Sequence, residues 1–193
     1  MPPKVRIRKE DIVKIATDLV REEGEGAFCA RKIAERLSSS TQPIFSNFPT
    51  MTDLFLAVHK EALGIYGEYV EREIASGKYP PYKASGMAYI RFAGEEKNLF
   101  KLLYMRERGG EEMPSEKESF DASALAVGKA LGFDEETSRL FHLEVWSSVH
   151  GIAVMRATGF LDLTEELISS MISDIYLGLR ARYAERRKTD AGN

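Results

Sequence analysis

The chain has 193 residues, a formal net charge of −3 and 44% hydrophobic residues, which is the composition of a globular protein and not of a disordered or fibrous one. Its one cysteine, Cys29, excludes an internal disulfide and fits a reducing compartment. No apolar run reaches the roughly 18 residues of a membrane span, and the N-terminus lacks the apolar core of a signal peptide. We therefore expect a cytoplasmic protein.

Positive charge is concentrated at the N-terminal end. Residues 1–50 carry nine Lys or Arg and seven Asp or Glu, whereas the remaining residues carry eighteen and twenty-three. The first nine residues hold four cations and no acid, which predicts a basic arm that contacts DNA phosphates or a minor groove. A disordered, solvated tail is the alternative for residues 1–6.

The first predicted elements are three short helices. Apolar residues at helical spacing predict a first helix over 9–23, which Gly24 ends. Ile33, Ala34 and Leu37 form one face of a second helix, and the serines at 38–40 end it because their hydroxyls compete for backbone hydrogen bonds. Ser40 is the predicted N-cap of a third helix of about two turns that ends before Pro49. Two short helices joined by a tight turn are typical of a DNA-binding helix-turn-helix.

The third helix has the faces that a recognition helix needs. Ile44 and Phe48 lie four residues apart and supply a rear face for packing. The outer face offers amides that pair with adenine and hydroxyls that donate to phosphates. An ordinary helical hairpin with a polar outer face is the alternative. The predicted DNA-binding residues are Arg8, Lys9, Arg31, Ser40, Thr41, Gln42, Pro43, Phe45, Ser46 and Asn47.

From about Arg8 to Leu54 the chain resembles the TetR family of bacterial transcriptional regulators. The resemblance lies in the first helix, the turn, the Thr41-Gln42-Pro43-Ile44-Phe45 segment and the closing Phe48. Two positions depart from the family pattern. Phe45 stands where the family usually has a phosphate-contacting tyrosine, and Met51 stands where it commonly has a lysine. Both departures remove sequence-independent affinity for DNA.

Helical patterns continue to the end of the chain, with no strand alternation. We predict helices over 50–76, 82–93, 96–105, 115–131, 135–158 and 163–187, opened by capping patterns at Thr50, Ser115, Asp134 and Asp162. A glycine-rich acidic loop is predicted at 109–112. The fold class is therefore all-α with about nine helices: a three-helix DNA-binding domain over 1–50, and a larger helical regulatory, ligand-binding and dimerisation domain over 51–193.

A Trp-His-Gly pattern on the penultimate helix also resembles part of the TetR family, where it marks the C-terminal regulatory domain. Trp146 and His150 share one helix face, and Ser147 with Gly151 makes a strip of small residues on which another helix can pack closely. Burial of the tryptophan within one subunit is the alternative. The predicted homodimer interface is a four-helix arrangement formed by Trp146, Ser147, His150, Gly151, Ile168, Ile172, Ile175 and Leu179.

Aromatic and thioether side chains in the larger domain suit an apolar or aromatic small-molecule effector. The predicted ligand-binding residues are Tyr66, Tyr69, Met87, Tyr89, Phe92, Phe100, Tyr104, Phe120 and Phe141, each of which is alternatively a core residue. With the family resemblance, these residues imply a repressor that binds a palindromic DNA operator and is released by the effector. The alternative is a helical DNA-binding protein without a small ligand, controlled by a protein partner or constitutive.

An enzyme is disfavoured. The chain has no phosphate loop, dinucleotide glycine fingerprint or nucleophile elbow. His142 and His150 stand eight residues apart on one helix, a rise of about 12 Å that prevents a shared metal site. No cofactor or metal is expected.

Overall fold

The computed structural model describes residues 7–107 and 114–191, and its side chains are described except in 114–116 and 188–191. Within these ranges the regular secondary structure is entirely helical, which confirms the predicted all-α class. The expected number of nine α-helices is also confirmed in these residues. A 3₁₀ turn at Glu25–Ala27 joins the first two helices. The helices are α1 Lys9–Glu23, α2 Ala30–Arg36, α3 Gln42–Asn47, α4 Met51–Ala75, α5 Pro81–Glu95, α6 Lys97–Tyr104, α7 Pro114–Leu131, α8 Glu135–Thr158 and α9 Glu165–Ala191.

Two of the predicted caps open their helices. The Thr50 hydroxyl accepts from the Asp53 amide at 3.1 Å, and the Asp53 carboxylate accepts from the Thr50 amide at 2.9 Å. The Asp134 carboxylate accepts from the Thr137 amide at 2.8 Å, which lowers the pKa of Asp134 because the bond favours the ionised form. Local sequence therefore determines where α4 and α8 begin.

Other predicted boundaries need correction. The cap of α9 is Thr164, whose hydroxyl accepts from the Leu167 amide at 3.3 Å, and not Asp162. The cap position of α3 is Thr41 and not Ser40, with no side-chain capping bond. The predicted cap at Ser115 and the glycine-rich loop at 109–112 lie outside the described residues and side chains.

The described residues form two compact units. The first contains the chain up to Tyr69 together with Glu95–Arg106, and thus α1, α2, α3, most of α4 and α6. Its core is apolar, and α6 packs on α1. Arg21 of α1 forms an ion pair with Glu96, whose side chain is 8% exposed, and donates from Nε to Oε2 at 2.6 Å. This pair links α1 to the residue that precedes α6.

The second unit contains Val70–Gly94 and the residues from Glu107 onward. Its helices approach closely at glycines. A Cβ atom at Gly128 of α7 would lie 1.7 Å from the Ser138 hydroxyl oxygen and 2.4 Å from the Ser138 Cβ on α8. A Cβ at Gly86 of α5 would lie 3.6 Å from Val149 of α8. Small residues thus set how closely α7 and α8 cross, since a side chain at Gly128 would force them apart.

Candidate DNA-binding helix and regulatory helices

The turn between α2 and α3 is tight. Ser38 adopts a left-handed conformation with φ of 50°. The Ser38 and Ser39 amides donate to the carbonyls of Glu35 and Ala34, both at 3.0 Å. These backbone bonds close α2 at the predicted run of serines and turn the chain toward α3, whereas the Ser39 hydroxyl donates to the Ser40 carbonyl at 2.7 Å.

The two faces of α3 differ sharply in exposure. Ile44 and Phe48 are 0% and 2% exposed, which confirms them as the rear face. Phe45 is 47% exposed, an unusual placement for a phenylalanine on a helix whose rear face is already filled. Thr41 and Gln42 are also exposed, so the outer face presents an amide, a hydroxyl and an aromatic ring to solvent.

Two outer residues of α3 bond to their own helix. The Ser46 hydroxyl donates to the Gln42 carbonyl at 2.9 Å, and the Asn47 amide donates to the Pro43 carbonyl at 2.8 Å. Pro43 and Asn47 are half-buried, whereas Ser40 and Ser46 are exposed. Gln42 therefore keeps the more accessible side-chain amide of α3.

The basic side chains near α3 are held in different ways. Arg8 donates to both carboxylate oxygens of Asp11, and this interaction lowers the pKa of the aspartate. The Lys9 ammonium lies 4.8 Å from the centre of the Phe48 ring. Arg31 is 89% exposed and pairs with Glu35 at 3.1 Å. All three cations stay accessible to a phosphate chain, because each is exposed.

Lys32 and Arg36 are tied to α1 by ion pairs. Lys32 pairs with Glu23 at 2.7 Å, and Arg36 pairs with both Glu22 and Glu23 at 2.7 Å while its side chain is only 28% exposed. These bonds lower the pKa of Glu23, and Lys32 contributes most. The two cations hold α2 against α1 and do not extend toward a ligand.

A chain of rings joins two helices of the second unit, α7 and α8. The Phe120 ring of α7 lies 4.5 Å from the His142 ring and 6.1 Å from the Trp146 ring, and Trp146 stacks on His150 at 4.9 Å. Phe120, Trp146 and His150 are only half-buried. We call Phe120, His142, Trp146 and His150 the aromatic ladder.

Two tyrosines of α5 hold the imidazoles of the ladder. Tyr82 and His142 share a hydrogen bond of 2.7 Å at Nδ1, and Tyr89 and His150 share one of 2.9 Å. Burial lowers the pKa of both histidines because it disfavours the charged imidazolium. Near neutral pH the ladder therefore presents neutral rings.

The predicted ligand-binding residues fall in two groups. In the first unit, the Tyr66 and Tyr104 rings meet edge to face at 6.4 Å, and burial raises the pKa of Tyr66 to about 12. In the second unit, Phe141 is 0% exposed within a ring cluster, which makes it a core residue. The members in the first unit are Tyr66, Tyr69, Phe100 and Tyr104, and those in the second are Met87, Tyr89, Phe92, Phe120 and Phe141.

The predicted dimer residues also separate by burial. Ser147 and Gly151 are exposed, and Trp146 and His150 are half-buried, as are Ile175 and Leu179. Ile168 and Ile172 are 1% and 4% exposed, which places them in the core of the protomer. The helical spacing that selected these two isoleucines identified the inner face of α9 and not its surface.

Sequence patterns did not single out several polar groups that the fold brings together. Lys83 of α5 bonds to Ser169 and Ser173 of α9, and Arg21 pairs with Glu96. The only local signal was the four-residue spacing of the two serines, which places them on one helix face. Their partner stands almost ninety residues away in the chain, so no local pattern reveals it.

Comparison with known proteins supports the resemblance to the TetR family. The profile described as "Tetracyclin repressor-like, C-terminal domain" matches residues 82–175. An uncharacterised HTH-type transcriptional regulator of Mycobacterium tuberculosis, Rv0681, is 24% identical over 191 residues, which cover 97% of this chain and 86% of the relative. The tetracycline-repressor-like profile thus matches the C-terminal part of the chain, and a regulator of the HTH type matches nearly its whole length.

Solved structures share the fold of this chain. A TetR-like transcriptional regulator from Rhodococcus sp. RHA1 superposes with a TM-score of 0.67 at 15% identity, over 92% of this chain and 96% of that one. The multidrug binding protein EbrR, complexed with imidazole, gives a TM-score of 0.59 at 16% identity, over 90% and 94%. The family is one of helix-turn-helix regulators and not of enzymes. Among the helices of residues 7–107 and 114–191, none is long and apolar enough to cross a membrane.

Proposed function

We propose that this TetR-family regulator is a repressor: a homodimer binds a near-palindromic operator through α3 of each protomer, and a small-molecule effector releases it. The observation that carries the proposal is the division of α3 into a buried rear face and an exposed outer face with Gln42 and Phe45. Residues 1–50 then form the DNA-binding domain and 51–193 the regulatory domain. Its site of action would be the cytoplasm, where bacterial DNA lies.

The DNA contacts divide by chemistry. Gln42 suits bidentate bonding to adenine, and the methyl of Thr41 suits contact with thymine. Arg8, Lys9 and Arg31 supply charge for phosphates and carry no base preference. The remaining residues proposed to face the DNA are Ser40, which precedes α3, and Pro43, Phe45, Ser46 and Asn47 of α3.

The proposed dimer surface lies on the outer faces of α8 and α9. On α8 the exposed strip includes Leu140 and Leu143, which are 45% and 46% exposed, and continues through Ser147 and Gly151. On α9 the exposed Leu177 lies beside Gly178, and a Cβ at Gly178 or Gly151 would meet nothing within 4 Å inside the protomer. Leucines beside small residues favour close packing of helices from a second copy. Ile168 and Ile172 support this surface from inside.

The dimer follows from the length of α3. A six-residue helix reads only a few base pairs, so useful specificity needs two such helices about 34 Å apart on the DNA. An effector that prefers one arrangement of the dimer would change that spacing and weaken operator binding.

We place the effector in the second unit, beside the aromatic ladder. Half-buried rings of Phe120 and Trp146 offer surface to a planar apolar or aromatic compound, and Tyr89 with His150 supplies polar groups at one end. The multidrug binding named for EbrR is a property of that protein, and its similar fold supports a ligand-binding role here.

Selection of bound fragments from a random DNA library tests the DNA-binding proposal. The expected result is a near-palindromic consensus with half-sites about one helical turn apart. Gln42→Ala should change base preference within a half-site, whereas Lys9→Met should weaken binding to all sequences and reduce the salt dependence. Recovery of no consensus, with no retardation of DNA at any salt concentration, would remove the proposal.

Sedimentation of a surface variant tests the dimer. Gly151→Glu adds a charge where the protomer leaves open space, so we expect a folded monomer with much weaker operator binding. Gly64→Glu adds the same charge at an exposed glycine of α4, likewise without a neighbour, and should remain a dimer. Dimers from both variants would place the interface elsewhere.

Trp146 provides a probe for the effector because it is the only tryptophan. Planar aromatic compounds that bind the ladder should quench its fluorescence. A compound that quenches should also release the operator, and saturating operator should weaken the compound's binding by the same factor. Quenching with no change in DNA affinity would separate ligand binding from regulation and contradict the release mechanism.

A further inference from the structure

A cavity of about 410 Å³ opens in the second unit, at a place that none of the predicted ligand-binding residues lines. Its walls come from the connection that precedes α5, the first turn of α5 and the first turns of α9. The volume lies in the range of small-molecule sites. The lining residues are Lys78, Tyr79, Lys83, Glu165, Glu166, Ser169, Ser170 and Ser173.

Lys83 is the charged group at the wall that faces α9. Its ammonium donates to the Ser169 and Ser173 hydroxyls at 2.7 and 2.8 Å and lies 4.7 Å from the centre of the Tyr79 ring. Within residues 7–107 and 114–187, no carboxylate forms an ion pair with it. An ammonium has three N–H donors, so one remains beyond the two serines.

The half-buried acid at the cavity is already paired with other cations. Glu165 pairs with Lys78 at 2.6 Å and with Arg91 at 3.3 Å. These partners, Lys78 above all, lower the pKa of Glu165. The other acid at the cavity, Glu166, is exposed to solvent, so it screens Lys83 only weakly.

Hydroxyl groups add donors to the same wall. The Ser173 hydroxyl donates to the Ser169 carbonyl at 3.0 Å. The Ser169 and Ser170 hydroxyls donate to no acceptor in the part of the chain that the structure describes. The wall therefore holds an ammonium N–H and two O–H donors that an oxyanion could accept.

We propose that this cavity binds a small ligand through its carboxylate or phosphate group, with Lys83 as the charged anchor and Ser169 and Ser170 as hydroxyl donors. A lysine held only by neutral partners gains a charge-assisted hydrogen bond when an anion arrives. A cationic ligand is disfavoured, because the Tyr79 ring already has the ammonium groups of Lys83 and Lys78 within 4.7 and 5.1 Å of its centre. The site is separate from the aromatic ladder, and its test does not need the effector or the operator.

The test is an amide NMR titration of the full chain with potassium phosphate and, separately, potassium acetate, at ionic strength matched with potassium chloride. Saturable shifts are expected at residues 78–83 and 165–173 with at least one of the two anions and not with chloride. Lys83→Met should weaken the affinity by about tenfold or more, the loss expected for a charge-assisted bond. Ser169→Ala, which keeps the charge, should weaken it by a smaller factor.

A matched control distinguishes anion binding at Lys83 from a general effect of the protein's charge. Lys60→Met removes one exposed lysine on α4 and should leave the titration unchanged. Shifts that grow linearly without saturation, or that persist in both Lys83→Met and Ser169→Ala with unchanged affinity, would overturn the proposal. If Lys83→Met does not fold, the wild-type titration and Ser169→Ala decide between the outcomes.

Discussion

The helix-turn-helix differs from helices α5, α8 and α9 in how far apart along the chain the contacting residues lie. In α2 and α3, nearly every contact joins residues close in sequence: the serine turn, the rear face of Ile44 and Phe48, and the ion pairs of Arg36 to α1. In the second unit, polar contacts such as Tyr82–His142 and Lys83–Ser169 join residues sixty or more positions apart. Local patterns therefore describe the first region well and the second poorly.

The difference also concerns what each region leaves exposed. The outer face of α3 leaves an amide and an aromatic ring exposed, on a scaffold held by its rear face. The second unit keeps its imidazoles neutral and bonded to tyrosines, so these two polar pairs are satisfied within the protomer. The outer face of α3 is thus open to a partner, whereas the two histidines are already engaged.

The sharpest test of the α3 faces compares two neighbours. Ile44→Ala should lower the free energy of unfolding by about 2–5 kcal/mol, because it empties a fully buried position, and should lower DNA binding with it. Phe45→Ala should change stability by less than about 0.5 kcal/mol and still weaken DNA binding. Urea unfolding and DNA retardation measure the two effects. Unchanged DNA binding in Phe45→Ala would contradict the assignment of α3 as the recognition helix.

The close crossing of α7 and α8 can be broken at one glycine. Gly128→Ala should destabilise the protein by about 1–3 kcal/mol, since the added methyl meets Ser138 of α8 at an impossible distance. The control Gly64→Ala, in α4, meets no neighbour and should stabilise by about 0.5–1 kcal/mol through helix propensity. Thermal unfolding of the two variants shows the sign of each change. Equal effects would mean that backbone preference alone, and not the helix crossing, explains Gly128.

The ion pair before α6 and the ion pair on α2 differ in burial. Arg21→Met should cost about 1–2 kcal/mol, because it leaves the largely buried Glu96 carboxylate without its cation. Arg31→Met should cost less than about 0.5 kcal/mol, because the Arg31–Glu35 pair is exposed on both sides. Chemical denaturation at two salt concentrations compares them. A larger loss in Arg31→Met would show that burial does not set the strength of these pairs.

The smallest expected effect is a pH dependence from the aromatic ladder. The folded chain holds His142 and His150 at lowered pKa, whereas the unfolded chain binds protons at the ordinary histidine value of 6.5. Because the unfolded state binds more protons between these values, stability should rise with pH in that window and level off above about pH 7. The slope is at most about 1.4 kcal/mol per pH unit for each histidine.

Urea unfolding of the wild type and of His142→Gln across about pH 5 to 8 measures this slope. The variant should show a shallower dependence, because one of the two histidines no longer titrates. An identical slope in both proteins would show that His142 does not contribute, and that its burial does not keep it neutral.

Local sequence was enough to predict the all-α class, the helix starts at Thr50 and Asp134, the serine turn and the buried face of α3. Each of these depends on side chains within about four residues of one another, where helical periodicity and capping chemistry act. The helical spacing of Ile168 and Ile172 was also visible in the sequence. It identifies a buried helix face, but it does not show whether the same chain or a second copy covers that face.

Three further features depend on long-range packing: these isoleucines lie in the core of the protomer, Tyr82 and Tyr89 bond to the two histidines, and Lys83 meets the serines of α9. These partners are separated by long stretches of chain, and their meeting depends on how closely helices cross at positions such as Gly128. Spacing along one helix shows which side chains share a face. The packing of other helices determines what that face meets.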